Sequence, residues 1–405
     1  MTQAGLLARP WVPAGILLLG SLSTLVGLAW DVQWHSDVGP DTFFTLPHLF
    51  IYAGSAVSGL VSLAVVLTAT AATRAGHRVD TAVGGRPVAV FGVFQAPLGY
   101  LVSGVGAAVF LLYGLWDEWW HGIYGFDAII ASPPHVGLLT SVMLVMIGSV
   151  MTCAAAAGQA WARAALVGSV VMLIGFSMVV LVALPPWGAV DGQAATLALI
   201  SMTALVCVAS FTRSLVTTAV TAWVLVATQV AFSFFSPWAT RLYAVAEGLP
   251  IRDYNDGLPR LPMLMPATLP LGAAAIVLAV LLLRGRTAAA YAVGGALGGA
   301  ALAATFPWQP LLFGGMPSPA AGAQRSRRSR RGRARCGRRA AGRPAGRGAA
   351  PPPPGRGGGG LRCAASSSGW SRPACCSPPR PRPPHRTTRR SRSCTRNASP
   401  SGRTR

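Results

Sequence analysis

A chain of 405 residues that is 52% hydrophobic and only 11% charged is not an ordinary soluble domain, and its mean hydropathy of +0.49 indicates repeated passage through a membrane. The net charge of +23 is misleading as a single number, because the charge is confined to one end. Residues 1–324 hold 11 arginines against all 11 acidic residues, residues 325–405 hold the other 23 arginines and no acid, and lysine is absent.

The first apolar run, Trp11–Trp30, has the length of about twenty residues that a helix needs to cross a bilayer. Arg9 precedes it as in a signal sequence, but no small-residue cleavage site follows, so the segment reads as a retained helix. Further runs begin near Pro47, Pro97, Pro133, Ala164, Ala194, Leu215, Met263 and Ala288. The fold class is therefore all-α: a polytopic integral membrane helical bundle of about nine transmembrane helices. Arg9, Arg74, Arg78, Arg86, Arg163, Arg213, Arg284 and Arg286 fall on one side, which the excess of positive charge assigns to the cytoplasm. The expected location is the bacterial plasma membrane with the N-terminus cytoplasmic. The opposite, extracytoplasmic side receives Asp191 and the loop from Trp238 to Leu261, where Arg241, Arg252 and Arg260 run against the charge rule. Cys153 and Cys207 sit in apolar runs and read as small core residues. Gly294 to Gly299, "GGALGG", offers close helix packing.

Two stretches on that outer side share a pattern. Shifted by 86 positions, Trp30, Asp31, Trp34, His35 and Asp41 fall on Trp116, Asp117, Trp120, His121 and Asp127. With one inserted residue, Pro47-His48 then falls on Pro134-His135. We read this as an internal duplication of a two-helix hairpin within residues 1–157, followed by further transmembrane helices in 158–324. Asp31 and His35 lie one helical turn apart on one face, as do Asp117 and His121. Proline suits the first turn of a helix, so His48 and His135 are set at a helix mouth beside the preceding helix end. Each hairpin thus offers one carboxylate and two imidazoles, a ligand set for copper, iron or zinc. The metal candidates are Asp31, His35, His48, Asp117, His121 and His135. Inward-pointing faces in a pseudo-symmetric bundle favour one shared cluster.

Other readings stand beside this one. The Asp and His pairs also suit helix-end pairing or a proton relay. Trp30, Trp34, Trp116, Trp119 and Trp120 suit an interfacial belt. Glu118, Asp41 and Asp127 are either further ligands or partners that orient a histidine, or else solvated acids, and Asp37 is read as solvated. His77 is read as solvated beside Arg74 and Arg78, and Met263 and Met265 as packing residues.

Residues 325–405 are arginine, proline, glycine and alanine with little apolar content, and are expected to be disordered. An odd number of spans places this basic tail outside, which argues against a nucleic-acid arm. The composition is that of a GC-rich gene read in the wrong frame, and a frameshift artefact is the favoured account. The partner expected is the lipid bilayer, with a small molecule or metal ion at the outer face.

The spacing Asp31-x3-His35-x12-His48 resembles the ligand pattern of the C subunit of particulate methane and ammonia monooxygenases, which are membrane copper enzymes. The resemblance covers about eighteen residues. It implies copper as the cofactor, with Asp31, His35 and His48 as ligands near the outer face, and a membrane oxidoreductase activity. The second copy has one more residue between its histidines, and the duplication departs from that family's single set.

Overall fold

The computed structural model describes residues 6–39, 41–125, 130–179, 181, 191–252, 257–284 and 287–314. The chain divides into two units, Met1–Gly342 and Arg343–Arg405, and every described residue lies in the first. The tail after residue 324 and Asp127 lie outside the described residues.

Nine helical segments among the described residues are long and apolar enough to cross a membrane. The helices are α1 (Trp11–Asp37), α2 (Leu46–Arg74), α3 (Leu98–Tyr124), α4 (Pro133–Ala155), α5 (Ala160–Ser177), α6 (Gly192–Thr212) and α7 (Leu215–Ala246). A short α8 (Arg260–Leu264) leads into α9 (Leu269–Leu282), and α10 (Ala288–Thr305) closes the bundle. The eighth span, Pro262–Leu282, joins the end of α8 to α9. The protein is thus an all-α polytopic bundle. One small antiparallel hairpin, β1 (Pro87–Val90) with β2 (Phe94–Pro97), interrupts it between α2 and α3.

The helices start and stop where side-chain chemistry dictates. Pro47 and Pro133 occupy the first turns of α2 and α4. Asp191 caps α6, its Oδ1 accepting from the amides of Gln193 and Ala194. One apolar cluster joins α1, α3, α4, α5, α6, α7, α9 and α10, with Leu25, Ile174, Leu205, Leu225 and Ile276 fully buried in it. Gly294 and Gly298 of the glycine-rich α10 lie against the α9 backbone at Ile276 and Gly272, the close approach that their spacing indicates.

The two N-terminal hairpins cross their helices at matching places. A Cβ on Gly20 of α1 would meet Gly54 O at 2.8 Å and Ser58 N at 3.2 Å on α2. Its counterpart Gly106 on α3 would meet Ser141 O at 2.8 Å and Val145 N at 2.7 Å on α4. Residues 141 and 145 are the counterparts of 54 and 58 under the 87-residue shift that pairs His48 with His135. About two turns further along the leading helix toward the motifs, the hairpins differ. The first has Gly27 on its leading helix facing Ile51, whereas the second has Tyr113 there, seated on Gly137 of the returning helix.

Some tryptophans differ from the expected belt. Trp30 and Trp34 are buried, packed edge-on or tilted against Tyr243, with Phe50 and Phe235 also around Trp30. The end of α7 covers this side of α1, so these rings fill core. Trp116 and Trp119 on α3 are exposed, as an interfacial position requires. Cys153 is buried but Cys207 faces outward on α6, and neither forms a disulfide.

Candidate metal centre

The first cluster is built where α1 ends and α2 begins. Asp31 and His35 share a face of α1 by their i,i+4 spacing, and His48 sits in the first turn of α2. The connecting loop adds Asp41. His35 Nε2 lies 3.6 Å from Asp31 Oδ1 and 2.9 Å from Asp41 Oδ2. His48 Nε2 lies 3.1 Å from Asp31 Oδ1 and 3.4 Å from Asp41 Oδ2. Potential ligand atoms of these four residues all lie within 4.8 Å of one another.

The second cluster repeats this at the junction of α3 and α4. Asp117 Oδ1 lies 3.4 Å from His121 Nε2 and 3.5 Å from His135 Nε2. These three residues also offer ligand atoms within 4.8 Å of one another. The structure therefore brings together all six residues of the two sequence motifs, as two groups of candidate metal-binding side chains. It adds Asp41, whose signal in the sequence was its match to Asp127 in the repeat.

The opposite ring nitrogens are held by the protein. His48 Nδ1 is 3.0 Å from the carbonyl oxygen of Thr42, and His121 Nδ1 is 3.1 Å from that of Gly125. A carbonyl only accepts, so Nδ1 carries the hydrogen in both rings. In the neutral ring this leaves the Nε2 lone pair aimed at the carboxylates. His135 Nδ1 is 2.9 Å from Ser132 Oγ, a hydroxyl that also accepts. A lone pair facing a carboxylate at 3–4 Å is repulsive unless a cation stands between them. That cation is either a proton on the ring or a metal ion. Asp31 Oδ1 and Asp41 Oδ2 are buried and receive no hydrogen bond of proper geometry, so the histidine approaches are not ordinary N–H···O contacts. Buried acceptors without donors are expensive, and a bound cation would satisfy them. Burial alone would raise the Asp41 carboxyl, but His35, His48 and Thr45 beside it hold it below the ordinary carboxylate value.

Both clusters open into one cavity of about 340 Å³. Its remaining wall is largely apolar, with Leu28, Ile51, Phe110, Leu138, Phe176 and Val179 among the lining residues. Tyr52 also lines this cavity, its ring 6.0 Å from that of His48 and 6.2 Å from that of Phe110. A common cavity places the two motifs at one end of the bundle, as two hairpins running in the same direction require. A single merged cluster is not what forms. Among the described residues the ligand atoms gather in two separate groups facing the same space. Each triad is held by its own hairpin, and the side chains converge within a hairpin before they reach its neighbour.

Other candidates fall away from the centre. Asp37, expected in solvent, is buried, and its Oδ2 accepts from Gln33 Nε2 at 2.7 Å. The reason is distant in sequence: the segment before α8 lies over the end of α1, with Arg252 N donating to Asp37 O at 2.7 Å. Glu118 and His77 are exposed. Met265 is buried in the core, and neither it nor Met263 lines the cavity.

The resemblance to the monooxygenase C subunit accordingly rests on ligand spacing alone. No family model matches this chain, and comparison with curated proteins and with solved structures finds no match.

Proposed function

We propose that this membrane protein binds a transition metal at each of its two Asp/His clusters, on the extracytoplasmic face, and that the metal is copper. One observation carries the reading: in both hairpins histidine Nε2 atoms converge on a carboxylate while the Nδ1 atoms of His48 and His121 are fixed by backbone carbonyls. That is how metal-binding histidines are oriented. Asp31, His35, Asp41 and His48 would hold one ion; Asp117, His121 and His135 would hold the other. The donors are nitrogen and oxygen, and no sulfur lines the cavity among the described residues, which suits copper(II), iron(II) or zinc. Copper comes first because it binds such donors most tightly among these ions, and because of the spacing shared with the copper monooxygenases. Three or four protein ligands leave positions open toward the cavity. A bound copper or iron ion would supply redox or oxygen chemistry there. The chain's own residues fix the rings, keep both carboxylates close, and wall the space with apolar side chains that limit water.

Elemental analysis of the purified full chain tests this. Copper at two equivalents per chain, lost together with the histidines, is the expected result. A metal-free protein that takes up none of copper, iron or zinc would leave the protonated alternative, a proton-coupled carrier using the same Asp and His residues. Oxygen uptake with a reductant then separates an oxidoreductase from a metal transporter or assembly factor.

A further inference from the structure

The end of the bundle opposite the clusters carries a surface that the metal centre does not explain. The hairpin of β1 and β2 turns at Phe91, Gly92 and Val93. Phe91 is 92% exposed, the most exposed large apolar side chain among the described residues, and has φ of +52°. A bulky L residue in the left-handed region is strained, and a phenylalanine fully in water is unfavourable. Glycine or asparagine would relieve both at once. Val88, Val93 and Phe94 are exposed around it.

Hydrogen bonds fix the height of this patch. Gln95 N donates to Thr70 Oγ1 at 2.9 Å, and Arg74 Nη2 donates to Val93 O at 2.9 Å. Thr70 and Arg74 belong to the last turn of α2, so the tip lies level with the end of a membrane span. Arginine at a span end sits at the headgroup layer. The outward faces of the adjoining spans continue the apolar surface, with Leu63 and Leu67 on α2 and Leu98 at the start of α3 exposed. Between residues 74 and 97 the charged groups are Arg74, Arg78, Arg86 and a single acid, Asp80, whose Oδ1 accepts from Ala82 N. An apolar tip tied to Arg74, at the level of the headgroups and on a connection with more arginine than acid, complements acidic phospholipid.

We propose that the Phe91–Val93 tip is inserted into the headgroup layer of an acidic-phospholipid membrane, on the face opposite the metal clusters, and anchors the α2–α3 connection there. Contact with a second copy of the chain is the competing occupant.

The test uses the full chain with its seven cysteines replaced by alanine and a nitroxide placed by Phe91→Cys. His77→Cys serves as the aqueous control and Leu63→Cys as the lipid control. Protein is reconstituted in vesicles of phosphatidylcholine alone or mixed with phosphatidylglycerol. Relaxation by oxygen, which concentrates in lipid, is compared with relaxation by a water-soluble nickel chelate. The label at 91 is expected to show an oxygen-to-nickel ratio between those of the Leu63 and His77 controls, and to shift toward the Leu63 value when phosphatidylglycerol is present. Nickel accessibility equal to the His77 control would overturn the proposal. So would protection from both reagents, which means protein contact, or a depth indifferent to lipid charge.

Discussion

The two N-terminal hairpins carry the same ligand spacing on different supports. In the first, α1 is clamped from outside the repeat. Arg252 Nη1 donates to His35 O at 3.1 Å across 217 residues, and its guanidinium lies against Gly39, where a Cβ would collide with it and where a φ of +98° also favours glycine. Gln33 is fully buried and uses both ends of its amide on the same segment, donating to Leu258 O and accepting from Arg260 N. In the second hairpin the position matching Gln33 is Trp119, which is exposed. There the local chain supplies the support, with Gly125 and Ser132 holding the two histidines. The repeated Asp/His pattern therefore keeps its geometry while one copy is tied into the rest of the bundle and the other is supported by chain next to it. The first cluster also has the loop acid Asp41, with only 2% of its side chain exposed.

This contrast predicts graded and separable losses. The largest effect should come from His48→Ala or His135→Ala, each removing about half of the bound metal by deleting a ligand at one site, with the double variant holding none. Elemental analysis reads this directly, and a single substitution that empties both sites would mean that they form one cooperative centre. Next, Asp41→Asn should weaken the first site selectively, since a neutral amide replaces a buried carboxylate; competition with a chelator of known affinity measures it. Smaller changes should follow from the supports, about 10-fold in affinity for each. Arg252→Gln should act on the first site and Ser132→Ala on the second, and metal spectra recorded in a background lacking the other site distinguish them. Loss at the second site from Arg252→Gln would refute the difference in support. Finally, His77→Ala should change metal content at neither site, because that ring is exposed at the far end of α2.

Much of this was legible in the chain because it is written in local periods. A bilayer needs some twenty apolar residues per helix, and nine such runs are visible without any partner. Asp31 with His35, and Asp117 with His121, must share a face because the helix repeats every 3.6 residues. Proline beside each second histidine marks the helix start that brings it back. The sequence alone thus determined the all-helical membrane fold, the repeat, and which side chains meet within each hairpin. Tertiary packing decided the rest. Whether Asp37 meets solvent or protein depends on a segment more than two hundred residues away, and so does the burial of Trp30 and Trp34 under α7. Loop acids have no period, so Asp41 acquires its place only when the ends of α1 and α2 fix the span it must bridge. The separation of the two clusters follows from how far apart the hairpins pack, a distance set by side-chain volumes across the whole core and encoded in no single stretch of the chain.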